Sequence, residues 1–253
     1  MYKTIIVHVD ESPLLDARLR AGAWLANSHD AHLVGCAATG MSWPAYAMLT
    51  GSMAVTPVGE FDSLRSTARA SLARFAERAR QLGVASIEER MVEDENRDAL
   101  LLQARYADLV VTGQDAGDAV TVRGLPQYLA MHGVRPVLAV PPSYGGEPIA
   151  DSIVVGWDGS AQAIRAIGAA MPLLVRASAV RLALVNPDLE SGVHGEEPGA
   201  DMALYLARHG VRVEVLVERT GVPVGEALLG VAGACWSPAP SATAATARSC
   251  WAA

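Results

Sequence analysis

The sequence lacks the motifs and composition of several common protein classes. It has no Gly-x-Ser-x-Gly, no Gly-x4-Gly-Lys-Ser/Thr and no His and Cys metal pattern, which argues against a serine hydrolase, a P-loop nucleotidase and a zinc protein. No apolar run reaches the roughly 18–20 residues of a membrane helix, because Arg176 and Arg181 interrupt the longest candidate. Basic residues are fewer than acidic ones, and the resulting net charge of −7 disfavours binding to a nucleic-acid backbone.

Cysteine is scarce as well. The three cysteines, Cys36, Cys235 and Cys250, have the spacing of neither a disulfide framework nor a zinc site, which indicates a reducing compartment. The N-terminal residues lead directly into an apolar run and an acidic residue, without the pattern of a signal peptide. We therefore expect a cytoplasmic protein that binds no membrane, no nucleic acid and no metal.

The most informative feature that is present is an internal repeat. Residues 5–12 and 153–160 are both short apolar runs that stop at an Asp, with a Ser two places later: Asp10 and Ser12 in one, Asp158 and Ser160 in the other. At the same spacing along the chain, residues 31–37 align with residues 179–185. Two copies of a strand–helix–strand unit predict two related domains, with a ligand site near each Asp.

The first copy alternates strand and helix patterns. Strands are predicted at 4–9, 32–38, 86–92, 108–112 and 135–140, and helices at 12–28, 61–82 and 96–106, with a further short helix before the last strand. A loop is predicted at 39–59, where glycine and proline recur. This alternation predicts a parallel sheet covered by helices on both faces.

The second copy begins like the first but does not finish like it. Residues 151–229 repeat its first three strands and their helices, whereas residues 235–253 have one charged residue and no apolar periodicity. The second copy therefore lacks the sequence for a fourth and a fifth strand. The predicted organisation is a first domain at 1–143, a linker at 144–150, an incomplete second domain at 151–232 and an irregular or aberrant tail at 233–253.

A shift of reading frame is one hypothesis for the tail. In a GC-rich gene, codons for Leu-Leu-Val read one base later give Cys-Trp-Ser, which is the sequence of residues 235–237. Codons for Leu-Leu-Gly-Gly would likewise give Cys-Trp-Ala-Ala, the sequence of residues 250–253. The alternative is a genuine, divergent tail of low complexity.

Taken together, four motifs resemble the universal stress protein family in its tandem form. They are the strand that ends in Asp-x-Ser, the long loop after the second strand, the run Ala-Asp-Leu-Val-Val-Thr-Gly at 107–113, and the closing run Arg-Pro-Val-Leu-Ala-Val-Pro at 135–141. The resemblance covers residues 1–145 fully and 150–232 in part. It implies an α/β fold of two tandem open parallel-sheet domains, Rossmann-like and similar to adenine nucleotide alpha hydrolases, with the second incomplete. It also implies a homodimer or a protein partner.

The same resemblance implies a site for ATP or another adenine nucleotide. The residues that match the family's site are Val9, Asp10, Cys36, Ala37, Thr112, Gly113, Gly117, Trp157, Asp158, Leu184 and Val185. Asp10 and Asp158 match the adenosine-side Asp, and the pairs 36–37 and 184–185 match the strand end that flanks the base.

The family's phosphate loop is altered in the first copy. Three residues, instead of two, separate Gly113 from Gly117, and Gly124 is followed by Leu125, where the family has Ser or Thr. Asp115 and Asp118 also place negative charge where phosphates would lie, which opposes phosphate binding by backbone N–H groups. The first copy therefore resembles members that do not bind ATP, or bind it poorly.

Several residues have a second reading. Asp10 and Asp158 either contact a ligand or cap the helix that follows. His8 is interpreted as a packed core residue and His194 as part of a solvated loop. The Met41, Trp43, Tyr46, Met48 and Met53 segment is interpreted as ordinary burial or dimer contact, with a lid over an apolar ligand as the alternative.

Three functions are consistent with this pattern. The leading prediction is a non-catalytic stress-response protein that acts by ligand sensing or protein–protein interaction. The second is a weak adenine-nucleotide binder with slow hydrolysis, and the third is a pure oligomerisation module. No catalytic residue is predicted.

Overall fold

The chain folds into two compact units in the computed structural model. Unit 1 comprises residues 1–147 with 249–252, and unit 2 comprises residues 148–248 with 253. The structure describes residues 1–50, 58–114, 124–190, 196–235 and 250–252. Within these ranges, no helix has both the length and the apolar character needed to cross a membrane.

Unit 1 is built on a sheet of six strands in the order β3-β2-β1-β4-β5-β9. The strands are β1 (Thr4–His8), β2 (His32–Ala38), β3 (Ile87–Val92), β4 (Leu109–Gly113), β5 (Val137–Val140) and β9 (Cys250–Ala252). The first five pair in parallel, and β9 pairs antiparallel with β5. Parallel strands need helical crossovers, which cover both faces of the sheet and favour continuous apolar runs such as Ile5–Val7. The predicted parallel α/β sheet is confirmed.

Five helices of the described ranges cover the unit 1 sheet. They are α1 (Leu15–His29), α2 (Trp43–Leu49), α3 (Val58–Gln81), α4 (Asn96–Ala104) and α5 (Leu125–His132). Helix α1 lies close against β1 at Gly22, where a Cβ atom would stand 2.6 Å from the Val7 side chain. On the opposite face, Leu100 of α4 and Leu129 of α5 pack in one apolar cluster with Ile6 and Val34. The close α1 contact fixes where the first turns of that helix lie relative to the end of β1.

The strand order creates a crevice at one edge of this sheet. The chain leaves β1 towards β2 on one side, whereas β4 leads to β5 on the other side. Ligands of open α/β sheets bind outside the carboxyl ends of the strands where the order reverses in this way. In unit 1 this place lies between the ends of β1 and β4, and we call it the unit 1 crevice.

Unit 2 has a smaller sheet of three parallel strands in the order β6-β7-β8. Its strands are β6 (Ser152–Gly156), β7 (Ala179–Val185) and β8 (Val213–Glu218), and its helices are α6 (Ala161–Leu174), α7 (Ala200–Arg208) and α8 (Val224–Cys235), with a 3-10 turn at Pro187–Glu190. The prediction of a second, smaller sheet domain is confirmed. Among the described residues no strand pairs with the outer edge of β6, where β4 pairs with β1 in unit 1.

Corresponding backbone hydrogen bonds recur in the two units, with one correction to the sequence alignment. Val9 N donates to Cys36 O (2.8 Å), and Trp157 N donates to Ala183 O (2.9 Å). Equal spacing would have made Leu184 the counterpart of Cys36, so that alignment was wrong by one residue in β7. The chain between the end of β6 and the start of β7 (157–178) is one residue shorter than that between the end of β1 and the start of β2 (9–31), and the apolar pattern of these strands does not reveal the difference.

Two other elements differ from prediction. Helix α2 lies within the predicted loop 39–59, because Ser42 caps it by accepting a hydrogen bond from Ala45 N (3.4 Å) and Pro44 stands in its first turn. In the tail, where no regular structure was predicted, residues 250–252 form β9 along the edge of β5. An edge strand has unpaired backbone groups. A short segment can form hydrogen bonds with them regardless of the pattern of its own side chains.

Candidate functional site

The unit 1 crevice is lined by residues that follow β1 and end β4. Asp10 lies two residues beyond β1, and Thr112 and Gly113 are the last residues of β4. The Asp10 carboxylate accepts a hydrogen bond from Ser12 N (3.0 Å), and the Ser12 hydroxyl accepts one from Leu14 N (3.0 Å). These two local turns lead the chain into α1 at Leu15. The predicted side-chain cap of α1 is wrong, because the N-cap residue is Leu14 and no side chain caps this helix. Asp10 and Ser12 shape the turn that precedes it, and Asp10 has a second role.

The second role of Asp10 is an ion pair with Arg18 of α1. The Nη2 atom of Arg18 donates to Asp10 Oδ1 in a short contact, and Nη1 donates to Oδ2 (3.3 Å). The Arg18 side chain is 3% exposed and the Asp10 side chain 9% exposed. A two-point guanidinium–carboxylate contact of this kind is among the stronger polar contacts in proteins, and it fixes both side chains in direction.

His8, the last residue of β1, completes the network. Arg18 Nη1 lies 2.8 Å from His8 Nδ1, and His8 Nε2 lies 3.2 Å from Asn96 Oδ1. A guanidinium can only donate, so Nδ1 accepts and the ring carries its proton on Nε2, from which it donates to Asn96. Burial, reinforced by the positive charge of Arg18, lowers the pKa of His8 to about 4. His8 is therefore neutral at pH 7, and it is the packed core residue that the sequence predicted, with a place in a polar network besides.

The charge of Asp10 is maintained by its partners. Burial by itself raises the pKa of the Asp10 carboxyl, but the charge and hydrogen bonds of Arg18, with the Ser12 backbone N–H, hold this pKa below its usual value. Asp10 is thus an ionised carboxylate whose negative charge is balanced inside the protein. We call the set Asp10, Arg18, His8 and Asn96 the crevice network.

Two polar atoms at the crevice have no hydrogen-bond partner among the described residues. They are Nε of Arg18 and Oγ1 of Thr112, both buried. Arg18 also lies along the end of β4, because a Cβ atom on Gly113 would stand 3.6 Å from Cδ and 3.9 Å from Nε of Arg18. The Arg18 side chain therefore extends from α1 across the crevice, from Gly113 at one strand end to Asp10 at the other.

The predicted base-flanking residues of unit 1 are buried. Val9, Cys36 and Ala37 are each 1% exposed, and Cys36 belongs to the apolar cluster beneath α4 and α5. Burial raises the pKa of the Cys36 thiol to about 12, which makes it a poor nucleophile at neutral pH. Gly117, Asp115 and Asp118 lie outside the described residues, and the described part of this segment resumes at Gly124, with φ of +68°.

The Asp of unit 2 has the same backbone setting but a different exposure. Asp158 accepts a hydrogen bond from Ser160 N (2.8 Å), as Asp10 does from Ser12, and Ser160 caps α6 by accepting from Ala163 N (3.1 Å). Asp158 is exposed, Trp157 and Val185 are half-buried, and Leu184 is buried. The structure thus places the predicted unit 2 residues at the carboxyl ends of β6 and β7.

Unit 2 does not repeat the partners of Asp10. The two helices can be aligned by their buried residues. Leu19, Leu25 and Ala26 of α1 and the buried residues Ile167, Leu173 and Leu174 of α6 have the same spacing along the chain.

By that spacing Arg18 corresponds to Ala166. His8, which ends β1, corresponds to Gly156, which ends β6, and Asn96, which opens α4, corresponds to Val224, which opens α8. The crevice network is specific to unit 1.

Sequence reasoning missed Arg18, His8 and Asn96 as parts of a site. One signal was available, since Arg18 falls between Leu15, Leu19 and Gly22 on the face of α1 that the apolar spacing predicts to be buried. A charged residue on a buried face needs a partner of opposite charge. In the structure, the partner of Arg18 is Asp10, in the turn between β1 and α1.

Other candidate sites give no chemistry in the described part of the chain. No group of three or more His, Cys, Asp or Glu side chains that could hold a metal ion occurs within the described ranges, and His194 falls outside them. Trp43 and Tyr46 of α2 pack against Phe61 of α3, with ring centroids 5.1 Å and 5.3 Å from it. Met48 is 84% exposed and Met53 lies outside the described residues.

Comparison with solved structures identifies the fold. A universal stress protein from Archaeoglobus fulgidus DSM 4304 superposes on 92% of this chain and 81% of its own length, with a TM-score of 0.65 and 13% sequence identity. This chain has the universal stress protein fold. The fold therefore agrees with the resemblance that the four sequence motifs carry.

Further matches to the universal stress protein fold each cover just over half of this chain. A universal stress protein in complex with cAMP matches 56% of this chain and 99% of its own, with 24% identity and a TM-score of 0.43. A universal stress protein family member from Burkholderia pseudomallei matches 55% of this chain and 96% of its own, with 25% identity and a TM-score of 0.43. No family model and no curated protein matches the sequence.

Proposed function

We propose that this chain is a tandem universal stress protein of the cytoplasm that acts by ligand sensing or protein–protein interaction and catalyses no reaction. The observation that carries the proposal is the state of Asp10. Its carboxylate, the group that the resemblance assigns to adenosine, is held by both terminal nitrogens of Arg18. A carboxylate engaged in this way has little capacity to accept the hydroxyl groups of a ribose.

The absence of catalysis is supported by the chemistry of the crevice. The thiol of Cys36 is buried and protonated, and His8 is hydrogen-bonded through both ring nitrogens. A general base must reach the proton that it removes, and a nucleophile must reach the reacting atom. Among the described residues of the crevice, Cys36, His8 and Asp10 are the groups with suitable chemistry. None of the three is placed to reach a substrate atom in either role.

A second candidate, weak binding of an adenine nucleotide in unit 1, has one observation in its favour. Gly113 ends β4 at the crevice, and Gly124 holds a left-handed conformation at the start of α5. Glycines at such positions allow backbone N–H groups to approach a phosphate. Asp115 and Asp118 in the intervening sequence oppose that approach by charge, so we expect the affinity to be low.

Calorimetric titration of Mg-ATP into the purified full chain tests the proposal. We expect no saturable binding with a dissociation constant near or below about 10 μM, the range in which a nucleotide contributes roughly 7 kcal/mol of binding free energy. Saturable low-micromolar binding, or release of phosphate that depends on protein concentration, would contradict it. Asp158→Ala is the control for unit 2, and its ATP signal should equal that of the wild type.

A further inference from the structure

Arg18 occupies the position where an open α/β sheet binds a ligand. Its side chain is 3% exposed and spans the unit 1 crevice between the ends of the two strands at which the order reverses. It contacts Asp10 after β1 and His8 at the end of β1, and its Nε lies 3.9 Å from where a Cβ atom on Gly113 of β4 would stand. A residue whose only purpose was to pair with Asp10 would not need to lie along β4.

We propose that Arg18 is the specificity-determining residue of unit 1, because its guanidinium is the resident occupant of the crevice and bars external ligands from Asp10. The inference deepens the proposed function, on which it rests for the assignment of the crevice as the ligand site. The ligand class that fits the place vacated by Arg18 is a small planar cation, an amidinium or a guanidinium. Asp10 is then the anion that recognises it, and neutral or anionic ligands are excluded.

Charge and burial explain the exclusion. A ligand that displaced Arg18 would have to provide hydrogen bonds for Asp10 and balance its charge, while the displaced guanidinium would need a new partner. Neutral His8 accepts from Arg18 Nη1 at Nδ1, so it too is arranged for a cation at this place. A ribose offers hydroxyl groups but no charge, and a phosphate carries charge of the wrong sign.

The comparison with unit 2 supports the assignment. Asp158 has the same turn to a Ser backbone N–H as Asp10, but the positions of Arg18, His8 and Asn96 hold Ala166, Gly156 and Val224. The Asp and its turn are therefore compatible with this fold without any of the other three residues. The buried cation is an addition of unit 1 and not a requirement of the strand–turn–helix unit.

Chemical rescue of Arg18→Ala tests the proposal. This variant removes the guanidinium and leaves Asp10 buried, so we expect a lower melting temperature than that of the wild type. Methylguanidinium chloride at millimolar concentration should then raise the melting temperature of the variant saturably, by at least about 4 °C at full occupancy. Equal concentrations of sodium chloride and of methylammonium chloride, which has the charge without the planar fork, should give less than half of this rise.

Three control variants show whether rescue depends on the place that Arg18 leaves and on the charge of Asp10. Arg20→Ala removes a guanidinium from the same helix, where Arg20 pairs with Asp16 in a half-exposed contact of 2.7 Å, and it should show no rescue. Arg18→Ala combined with Asp10→Asn should lose the rescue, because the anion that binds the probe is gone. Arg18→Lys keeps a cation in the crevice and should respond more weakly than Arg18→Ala.

The outcomes are decisive for Arg18 and separate from those for ATP. No rescue beyond that of sodium chloride, or equal rescue of Arg20→Ala, would overturn the proposal. Failure of Arg18→Ala to fold even when it is refolded in methylguanidinium would overturn it too, because the guanidinium would then be inseparable from the fold. Tight ATP binding by the wild type would overturn the proposed function whatever the rescue experiment gives, and only a nucleotide bound at Asp10 would also overturn the role of Arg18.

Discussion

Arg18 and Asp10 depend on each other because both charges are buried. Asp10→Asn removes the negative charge but keeps an oxygen that can accept from Ser12 N, so the main effect is an uncompensated Arg18. Breaking a buried ion pair from one side typically costs about 3–5 kcal/mol. We predict that this variant lowers the stability of unit 1 by about that amount, measured as faster hydrogen exchange of β1 and β4 by mass spectrometry.

Asp158→Asn is the matched control for that prediction. It makes the same change at the equivalent turn of unit 2, where Asp158 is exposed. Substitutions at such surface positions usually change stability by no more than about 0.5 kcal/mol. Equal losses from the two variants would contradict the special role that we give to the Arg18 partner.

His8 makes unit 1 sensitive to acid. Its pKa is about 4 in the fold against 6.5 as the ordinary value, so between these pH values the unfolded chain binds a proton that the folded chain does not. Stability therefore rises with pH across this window and falls as the pH is lowered from about 6.5 to about 4. The loss attributable to His8 is on the order of 3 kcal/mol at the low end, and it is measured by urea denaturation at a series of pH values.

His8→Asn isolates this contribution. Asn has the hydrogen-bonding groups but does not titrate, so the slope of stability against pH between about 4 and 6.5 should become shallower. Asp10, whose pKa is lowered, adds a loss of the same sign only at more acidic pH. An unchanged slope in His8→Asn would show that the titration belongs to other groups.

At the scale of elements, β6 has an open edge in the part of the chain that the structure describes. In parallel strands, alternate residues direct their backbone groups to opposite neighbours. Asp151 O and Trp157 N bond to β7, so the groups of Ser152, Val154 and Gly156 face the side on which β1 pairs with β4 in unit 1. An edge of this kind favours pairing with another chain, and we expect self-association that increases with protein concentration.

Val154→Pro tests the role of that edge. Proline removes an N–H that faces outward, which edge strands tolerate, so the variant should associate less while it keeps its far-ultraviolet circular dichroism. Val155→Pro is the matched control, because its N–H faces β7 and its loss should destabilise unit 2 instead. Analytical ultracentrifugation that finds the wild type monomeric at all accessible concentrations would refute the prediction.

The elements also show what sequence can and cannot predict here. Apolar periodicity predicted β1, α3 and the incomplete second sheet, because burial of an apolar face depends on local spacing. It missed α2, whose Ser42 and Pro44 were interpreted as loop residues, and it set β7 one residue out of register. For the crevice network, apolar spacing places Arg18 on the buried face of α1 and so indicates that it needs an acidic partner, but which residue is that partner is defined by three-dimensional packing.

At the scale of the whole molecule, the frame-shift hypothesis concerns the completeness of unit 2. It predicts that resequencing the gene from a fresh isolate gives, after codon 234, a continuing open frame with the apolar pattern of a fourth and a fifth strand. A product of that frame should show less association than the present chain, because β6 would have a partner. A DNA sequence that reproduces residues 235–253 and has no other open frame would end the hypothesis.

The duplication itself is a proposal for the whole chain. It rests on recurring backbone features, such as the turns of Asp10 and Asp158 and the bond of Gly83 N to Arg80 O (2.9 Å), which recurs from Gly210 N to Ala207 O (2.9 Å). If the two units descend from one ancestor, the crevice network arose in unit 1 or was lost from unit 2. We therefore expect the two units of one chain to differ in the ligands that they admit.

The most direct test of the account is a crystal structure of the wild-type chain grown with a millimolar excess of Mg-ATP. We predict that both terminal nitrogens of Arg18 contact Asp10 and that no nucleotide density lies between the ends of β1 and β4. A ribose bound to Asp10 with Arg18 displaced, or phosphates held beside Gly113, would contradict the claim that Arg18 occupies the unit 1 crevice.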